Sequence, residues 1–123
     1  MIAKARIEIE AMRRMVLTAA KAMDELGNAE ARVWVSAVKA MVPIRVCQII
    51  DEAIQIHGAT GVSQWTPLAS MYASQRTLRL ADGPDEVHWH VVGRAELSRY
   101  EDDHAPAVGP TTSGSSGFQF TGP

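Results

Sequence analysis

Apolar residues in the first part of the chain recur at the spacing of an α-helix. Over residues 1–26 they return every three or four positions, which places them on one stripe of a helix. The members of this stripe are Ile2, Ile9, Met12, Val16, Ala20, Met23 and Leu26. Gly27 and Asn28 follow, and both residue types tolerate the left-handed conformation that ends many helices. The pattern predicts an amphipathic helix over residues 1–26.

Residues 29–57 predict a second helix, which is apolar on more than one face. A helix of this kind is usually buried on several sides, so we expect it to lie at the centre of the domain. Pro43 removes a backbone donor and predicts a kink or a break before Ile44. Gly58 is expected to end the helix.

Two shorter helices are predicted after a loop. Thr66 followed by Pro67 is typical of a helix start, with Thr as the N-cap and Pro as the first helical residue. The residues 81–84 interrupt this helix, and a fourth helix is predicted from Pro84 to about Asp102, with acidic residues in its first turn.

The four helices and their short connections predict an all-α fold, an antiparallel four-helix bundle over residues 1–104. Residues 105–123 are rich in Pro, Gly, Ser and Thr without periodicity, which predicts a disordered C-terminal tail.

Composition narrows the function classes. Hydrophobic residues make up 46% of the chain and charged residues 21%, as in globular domains, and the net charge of -2 weighs against a nucleic-acid partner. No apolar run approaches the roughly 18 residues of a membrane span, so none is expected. The charged N-terminus does not resemble a signal peptide, and Cys47 is the only cysteine, so we expect a cytoplasmic protein.

Metal and nucleophile chemistry find little support in the sequence. His88 and His90 lie two positions apart on a predicted helix, so their side chains point in nearly opposite directions and cannot share a metal ion. No metal site is predicted.

Two interpretations fit Gly58 and Gly61. They allow another group to approach the backbone closely, with amides available to an anion, or they form only a helix cap and a turn. Trp89 is a candidate oligomer contact.

Asp82 lies in the predicted joint between the third and fourth helices, just before a helix N-terminus. Two hypotheses fit this position. The carboxylate caps the following helix, or it is a general base held in a rigid turn.

The stretch that begins at Gln55 resembles the C-terminal helical domain of the acyl-CoA dehydrogenases. That family carries a glutamine followed by a Gly-Gly-x-Gly element, a helix that starts with proline, and a Tyr-Glu-Gly-Thr element before the last helix. The corresponding residues here are Gln55, Gly58, Ala59 in place of one glycine, Gly61, Pro67, and Asp82-Gly83 in place of Glu-Gly. The chain departs from the family at Ala73-Ser74, where an Arg-Asp pair is usual, and at Pro84, which replaces the threonine. Its ADGPDEVH segment is similar to a branch of the family that acts on longer or hydroxylated acyl-CoAs and uses aspartate.

The resemblance implies a role for each matched residue. Asp82 would be the base that removes the α-proton of an acyl-CoA while the flavin of FAD takes the β-hydride, and Gly83 would leave room for the substrate thioester. Pro84 and Glu86 would contact the FAD of their own subunit. The residues that would contact the FAD of a neighbouring subunit are Gln55, Gly58, Ala59 and Gly61.

The resemblance also implies partners. The family's N-terminal helical domain and β-domain, which hold the flavin ring and the CoA ester, have no counterpart in these 123 residues. We therefore expect FAD and acyl-CoA to bind only in a complete enzyme, in which this chain is the C-terminal bundle of a homo-oligomer, and we expect the isolated chain to be inactive. The alternative is a non-enzymatic helical module that retains only a self-association surface.

Overall fold

The computed structural model describes residues 1–104, and all of their regular structure is helical. The predicted tail, residues 105–123, lies outside the described residues. The elements are α1 (Ile2–His57), a 3₁₀ segment (Gly58–Val62), α2 (Leu68–Thr77) and α3 (Asp85–His104). The all-α prediction is therefore confirmed.

The helix α1 is a hairpin of two arms. The first arm covers residues 2–26 and the second arm covers residues 28–57, and they meet at Gly27, whose φ of 79° and ψ of 173° are not helical. The predicted helix end at this glycine is confirmed. Two ion pairs join the open ends of the arms: Lys4–Glu52 at 3.2 Å and Arg45–Glu8 at 3.9 Å. Both pairs are partly exposed, so each stabilises the hairpin by at most about 1 kcal/mol.

Two of the three buried residues of the first arm are alanines. The three are Met12, Ala19 and Ala22. The predicted stripe is therefore only partly right, because Met12 alone among its members is buried, whereas Ile2 is 86% exposed and Ile9, Val16 and Met23 are between 42% and 44% exposed. Alanines let two helix backbones approach closely, and the larger side chains are left at the edges of the contact.

The second arm is the centre of the bundle, as predicted. Among the described residues, α2 and α3 each pack against α1 and not against each other. Of the kink or break predicted at Pro43, the break is wrong, since α1 continues through the proline and Gly27 is the one residue with non-helical torsions inside it. Pro43 is buried, and only the hydrogen bond to the carbonyl of Lys39 is lost there. Packing of the arm against its neighbours maintains the helix across the proline.

The hydropathy of the second arm tests the expectation that no segment could span a membrane. An 18-residue window in the helical stretch Ile2–Val62 is long and apolar enough for a span, and 28% of it is buried within the chain. That expectation is therefore wrong as a statement about hydropathy. A helix that is apolar on several sides because it packs against several neighbours reaches the same hydropathy, and the second arm packs in this way.

The start of α2 differs from the prediction in one respect. The helix begins at Leu68 directly after Pro67, without a capping bond from a side chain. The Thr66 hydroxyl donates instead to the carbonyl oxygens of Thr60 and Gly61, at 3.2 and 3.4 Å. Thr66 is therefore not the predicted N-cap. It holds the loop against the 3₁₀ segment.

Gly61 packs its backbone directly against the end of the second arm. A Cβ atom built at this position would lie 2.6 Å from the carbonyl oxygen of Ile54 and 2.9 Å from its Cα. Both are backbone atoms of a helix, so they cannot move aside as a flexible side chain could. The absence of a side chain is what allows the 3₁₀ segment to fold back onto α1.

We expect Gly61→Ala to destabilise the chain by about 1–3 kcal/mol, because the added methyl group forces the 3₁₀ segment away from α1. The matched control is Gly93→Ala, where a Cβ meets nothing within 4 Å and lies inside α3. That change should stabilise the chain by up to about 1 kcal/mol, since alanine is the better helix former. Urea unfolding of the two variants measures the difference. Equal effects would contradict the packing role of Gly61.

Candidate active site

The predicted site residues form two separate clusters. The glycine turn comprises Gln55, Gly58, Ala59 and Gly61 at the C-terminal end of the second arm. The aspartate turn comprises Asp82, Gly83, Pro84 and Glu86 between α2 and α3. Leu78, four residues before Asp82, contacts Lys39 on the second arm, and Gly58 lies 19 positions after Lys39. At 1.5 Å per residue, the two clusters lie roughly 28 Å apart along the arm.

The glycine turn is a helix cap followed by one turn of 3₁₀ helix. Gly58 has a φ of 56°, and its N–H donates to the carbonyl of Gln55. The carbonyl of Thr60 then accepts from both the backbone N–H and the hydroxyl of Ser63, at 3.1 and 2.7 Å. These bonds fix the turn. The side chains of Gln55 and Ala59 are exposed at the end of the bundle, available to a group outside this domain.

Asp82 adopts a left-handed backbone conformation that is uncommon for a residue with a side chain. Its φ is 56°, and among residues 1–104 no other non-glycine residue has a positive φ. Aspartate tolerates this region better than most residues, yet the conformation still has to be held by its surroundings. The side chain is exposed, and within the described residues its carboxylate makes no hydrogen bond or ion pair. The capping hypothesis is therefore wrong for this structure.

His88 lies between the aspartate turn and the second arm and contacts both. Its Nε2 donates to the carbonyl oxygen of Asp82 at 3.3 Å, and its Nδ1 lies 3.5 Å from the hydroxyl of Ser36, which is buried on the second arm. Because a carbonyl oxygen only accepts, Nε2 carries a proton. A Cβ at Gly83 would lie 3.2 Å from this nitrogen. The glycine therefore allows the imidazole to approach the turn.

Arg79 and Asp85 close the base of the aspartate turn. The Arg79 Nε donates to Oδ2 of Asp85 at 2.6 Å, and the Asp85 N–H donates to the carbonyl of Arg79 at 3.2 Å. Asp85 is only 5% exposed, and its other oxygen is buried without a hydrogen-bond partner among the described residues. The hydrogen bond to Asp85 raises the pKa of Arg79 above its ordinary value.

The second arm anchors the same turn from another side. The Lys39 ammonium donates to the carbonyl oxygen of Leu78, in the stretch that leads into the turn. Lys39 and Ser36 are three residues apart and lie on one face of the arm. Sequence reasoning found Asp82 but not the side chains that support it. The available signal was the placement of Arg79 and Asp85 on either side of the predicted helix break.

Glu86 and His90 lie on a different surface. They line an open groove of about 620 Å³ between α3 and the start of the second arm, together with Arg32 and Arg94. His88 contacts the turn while His90 lines the groove, as their spacing predicts. No group of three or more His, Cys, Asp or Glu side chains within residues 1–104 could hold a metal ion.

Comparison with known proteins identifies relatives of this chain. The family model described as "Acyl-CoA dehydrogenase, C-terminal domain" matches residues 1–97. Acyl-CoA dehydrogenase family member 11 of Rattus norvegicus is 55% identical over 96 residues, which are 78% of this chain and 12% of that protein. Probable acyl-CoA dehydrogenase FadE2 of Mycobacterium tuberculosis is 50% identical over 107 residues, 87% of this chain and 26% of that protein.

The fold is also found in a solved structure. A proposed acyl-CoA dehydrogenase from Mycobacterium abscessus matches with a TM-score of 0.78 and 50% sequence identity. The match covers 80% of this chain and 24% of that chain. The chain thus spans between an eighth and about a quarter of the length of these three proteins.

The geometry of Asp82 predicts how substitutions there affect stability. Because the carboxylate makes no bond within the domain, Asp82→Asn and Asp82→Gly should change the free energy of unfolding by less than about 1 kcal/mol. Asp82→Val should lose about 1–2 kcal/mol, since a β-branched residue tolerates a positive φ poorly. Ala81→Val is the matched control outside the left-handed position. A larger loss in Asp82→Gly than in Asp82→Val, measured by thermal unfolding, would identify the carboxylate as a structural group.

Proposed function

The chain belongs to the acyl-CoA dehydrogenase family, whose C-terminal domain it matches, and from this membership we propose that it supplies the catalytic base of an FAD-dependent acyl-CoA dehydrogenase. The observation that carries the proposal is Asp82. Its carboxylate is exposed at the edge of the domain, held in a left-handed turn, and bonded to nothing within the described residues. It lies where the family has glutamate, and it is available to a substrate outside this domain.

The proposed reaction is an α,β-dehydrogenation. Asp82 accepts the α-proton of the acyl thioester, the electron pair of that C–H bond forms the new double bond, and a hydride leaves the β-carbon. When bound, FAD supplies the acceptor for that hydride. Aspartate is shorter than glutamate by one C–C bond, roughly 1.5 Å. The substrate or the backbone must therefore lie closer to the turn than in an enzyme with glutamate. Gly83 leaves room for the thioester on that side.

The exposed residues of the two clusters fit contacts to an extended flavin nucleotide but cannot enclose one. Gln55 offers an exposed side-chain amide and Ala59 an exposed small side chain, while Pro84 follows Gly83 at the aspartate turn and Glu86 faces the groove beside α3. We assign the aspartate turn to the FAD of its own subunit and the glycine turn to that of a neighbour. The separation of roughly 28 Å along the second arm supports assignment to two cofactor sites. The remaining flavin contacts come from the N-terminal domains of the complete enzyme.

The exposed apolar residues support self-association of the bundle. Ile2, Ile9, Val16 and Met23 repeat every seven residues along one side of the first arm, and all four are more than 40% exposed. Trp89 is half exposed on α3. Apolar surface arranged in this way favours an interface between subunits. The same surface would serve the alternative function, a self-association module without catalysis, and the two functions differ in whether Asp82 matters.

In a complete enzyme, we expect Asp82→Asn to slow flavin reduction by acyl-CoA by at least ~10²–10⁴-fold, because asparagine cannot accept the proton. A complete enzyme can be made by replacing the C-terminal domain of the Mycobacterium tuberculosis relative with this chain. Single-turnover flavin reduction isolates the chemical step. Asp82→Glu should retain partial activity.

The matched control for this experiment is Asp24→Asn, which removes an exposed carboxylate from the first arm. It should reduce flavin at the unaltered rate. Flavin absorbance of each purified variant checks that the cofactor is loaded equally. An Asp82→Asn enzyme that is as fast as the unaltered one, with the same flavin content, shows that Asp82 is not the base.

We expect the 123-residue chain to form a dimer in solution, and Ile9→Lys with Val16→Lys to shift it to monomer, because both charges enter the proposed interface. Ile7→Lys is the matched control, since Ile7 is 70% exposed on nearly the opposite side of the first arm. Sedimentation velocity or light scattering measures the oligomeric state. A monomer at high concentration without any substitution contradicts the interface.

A further inference from the structure

The turn that presents Asp82 has little regular structure of its own. Its tip combines a left-handed aspartate with Gly83, whose φ of 107° also lies in the positive region. Among the described residues, neither makes a backbone hydrogen bond, and the His88 imidazole, which contacts the Asp82 carbonyl, is the one hydrogen-bond partner at the tip. The position of the Asp82 carboxylate therefore depends on what holds the two ends of the turn together.

The two ends are joined by one pair of residues. Arg79 and Asp85 make both a side-chain ion pair at 2.6 Å and a backbone hydrogen bond at 3.2 Å. Together they close a loop of the intervening residues, and Asp82 lies at its midpoint. The backbone bond fixes the distance between the ends, while the ion pair fixes the direction from which α3 starts.

Within residues 1–104, Asp85 has no hydrogen bond or ion pair with any side chain except that of Arg79. Its carboxylate is 5% exposed, and its second oxygen is buried without a hydrogen bond among the described residues. A buried carboxylate that loses its counter-ion is strongly destabilised, so α3 would have to shift until water reaches it. That shift would move the tip of the turn.

From these contacts we propose that Arg79 and Asp85 are positioning residues, which hold the turn in the conformation that directs the Asp82 carboxylate at the substrate. The inference rests on the proposed function, in which Asp82 is the base. Neither residue touches the reacting atoms. They act on the rate because a displacement of about 1 Å between a base and its proton can slow a reaction about 100-fold.

His88 and Gly83 complete the support and make the proposal more specific. The His88 imidazole contacts the Asp82 carbonyl through Nε2 and the Ser36 hydroxyl of the second arm through Nδ1. This contact resists movement toward the second arm but leaves the ends of the turn unrestrained. Arg79 and Asp85 restrain the ends, so their loss should let α3 shift and change the direction of the Asp82 carboxylate.

The test uses the complete enzyme with this chain as its C-terminal domain, and it compares Arg79→Met, Arg79→Lys and Asp85→Asn. We expect Arg79→Met and Asp85→Asn to slow single-turnover flavin reduction about 10- to 100-fold. Acyl-CoA affinity and flavin content should change by less than about twofold, since neither residue binds them. Arg79→Lys, which keeps the charge, should recover part of the rate. The double variant should be no slower than either single variant, because both remove the same contact.

Arg99→Met is the matched control. It removes an arginine from another ion pair of α3, with Glu96 at 3.0 Å, on an exposed surface. It should leave the rate unchanged. Amide hydrogen exchange in the 123-residue chain provides a second measurement, and the Asp85 amide should lose protection in Arg79→Met but not in Arg99→Met.

Several outcomes overturn the proposal. One is a flavin-reduction rate in Arg79→Met equal to that of the unaltered enzyme. Another is failure of all three variants to fold while Arg99→Met folds, which would make the pair a structural element only. If Asp82→Asn is fully active, the proposed function fails instead, and amide exchange still decides whether the pair holds the turn.

Discussion

The second arm of α1 is the surface on which the rest of the described chain is assembled. The first arm folds back along it from Gly27, and α2 and α3 pack on it without touching each other. With no direct contact between α2 and α3, their relative position is set through this arm and through the turn that connects them. Ser36 and Lys39 act on that turn from one face of the arm. The arm therefore positions the helices and the site together.

This arrangement explains which features could be predicted from the sequence. The helices and their ends at Gly27 and Gly58 follow from periodicity and from residues that tolerate a positive φ, and both signals are local. The sequence predicts that Thr66 caps α2, but its hydroxyl donates to carbonyl oxygens of the 3₁₀ segment instead of accepting from the N–H groups of α2. Pro43 did not break the helix because tertiary packing outweighs one lost hydrogen bond. Such competition depends on contacts between distant segments, which periodicity does not report.

The candidate site also has features that the sequence predicts and features that only the folded structure reveals. Asp82 could be found from its place before a helix start and from the resemblance, but its left-handed conformation could not. Arg79 and Asp85 are ordinary charged residues in the sequence, and only the folded turn brings their side chains within 2.6 Å. The buried face of the first arm also differs from the predicted stripe, because Ala19 and Ala22 are buried while Ala20 and the larger apolar members other than Met12 are exposed. Close packing of two helices favours the small side chain at the contact.

The chain departs from the family pattern at several positions, and two of them, Asp82 and Pro84, lie in the aspartate turn. The Arg-Asp sequence that is usual in the third helix is Ala73-Ser74 here, both exposed, and Arg79 and Asp85 form an ion pair across the turn. Aspartate is among the residues that best tolerate a positive φ, and the proline that follows Gly83 restricts the backbone further. In its proposed role as the base, Asp82 requires tighter positioning than a glutamate, because less of the distance to the substrate is spanned by a flexible side chain. A more rigid turn, closed by its own ion pair, meets that demand. In the proposed function, the shorter base and the ion pair that closes its turn are therefore parts of one arrangement.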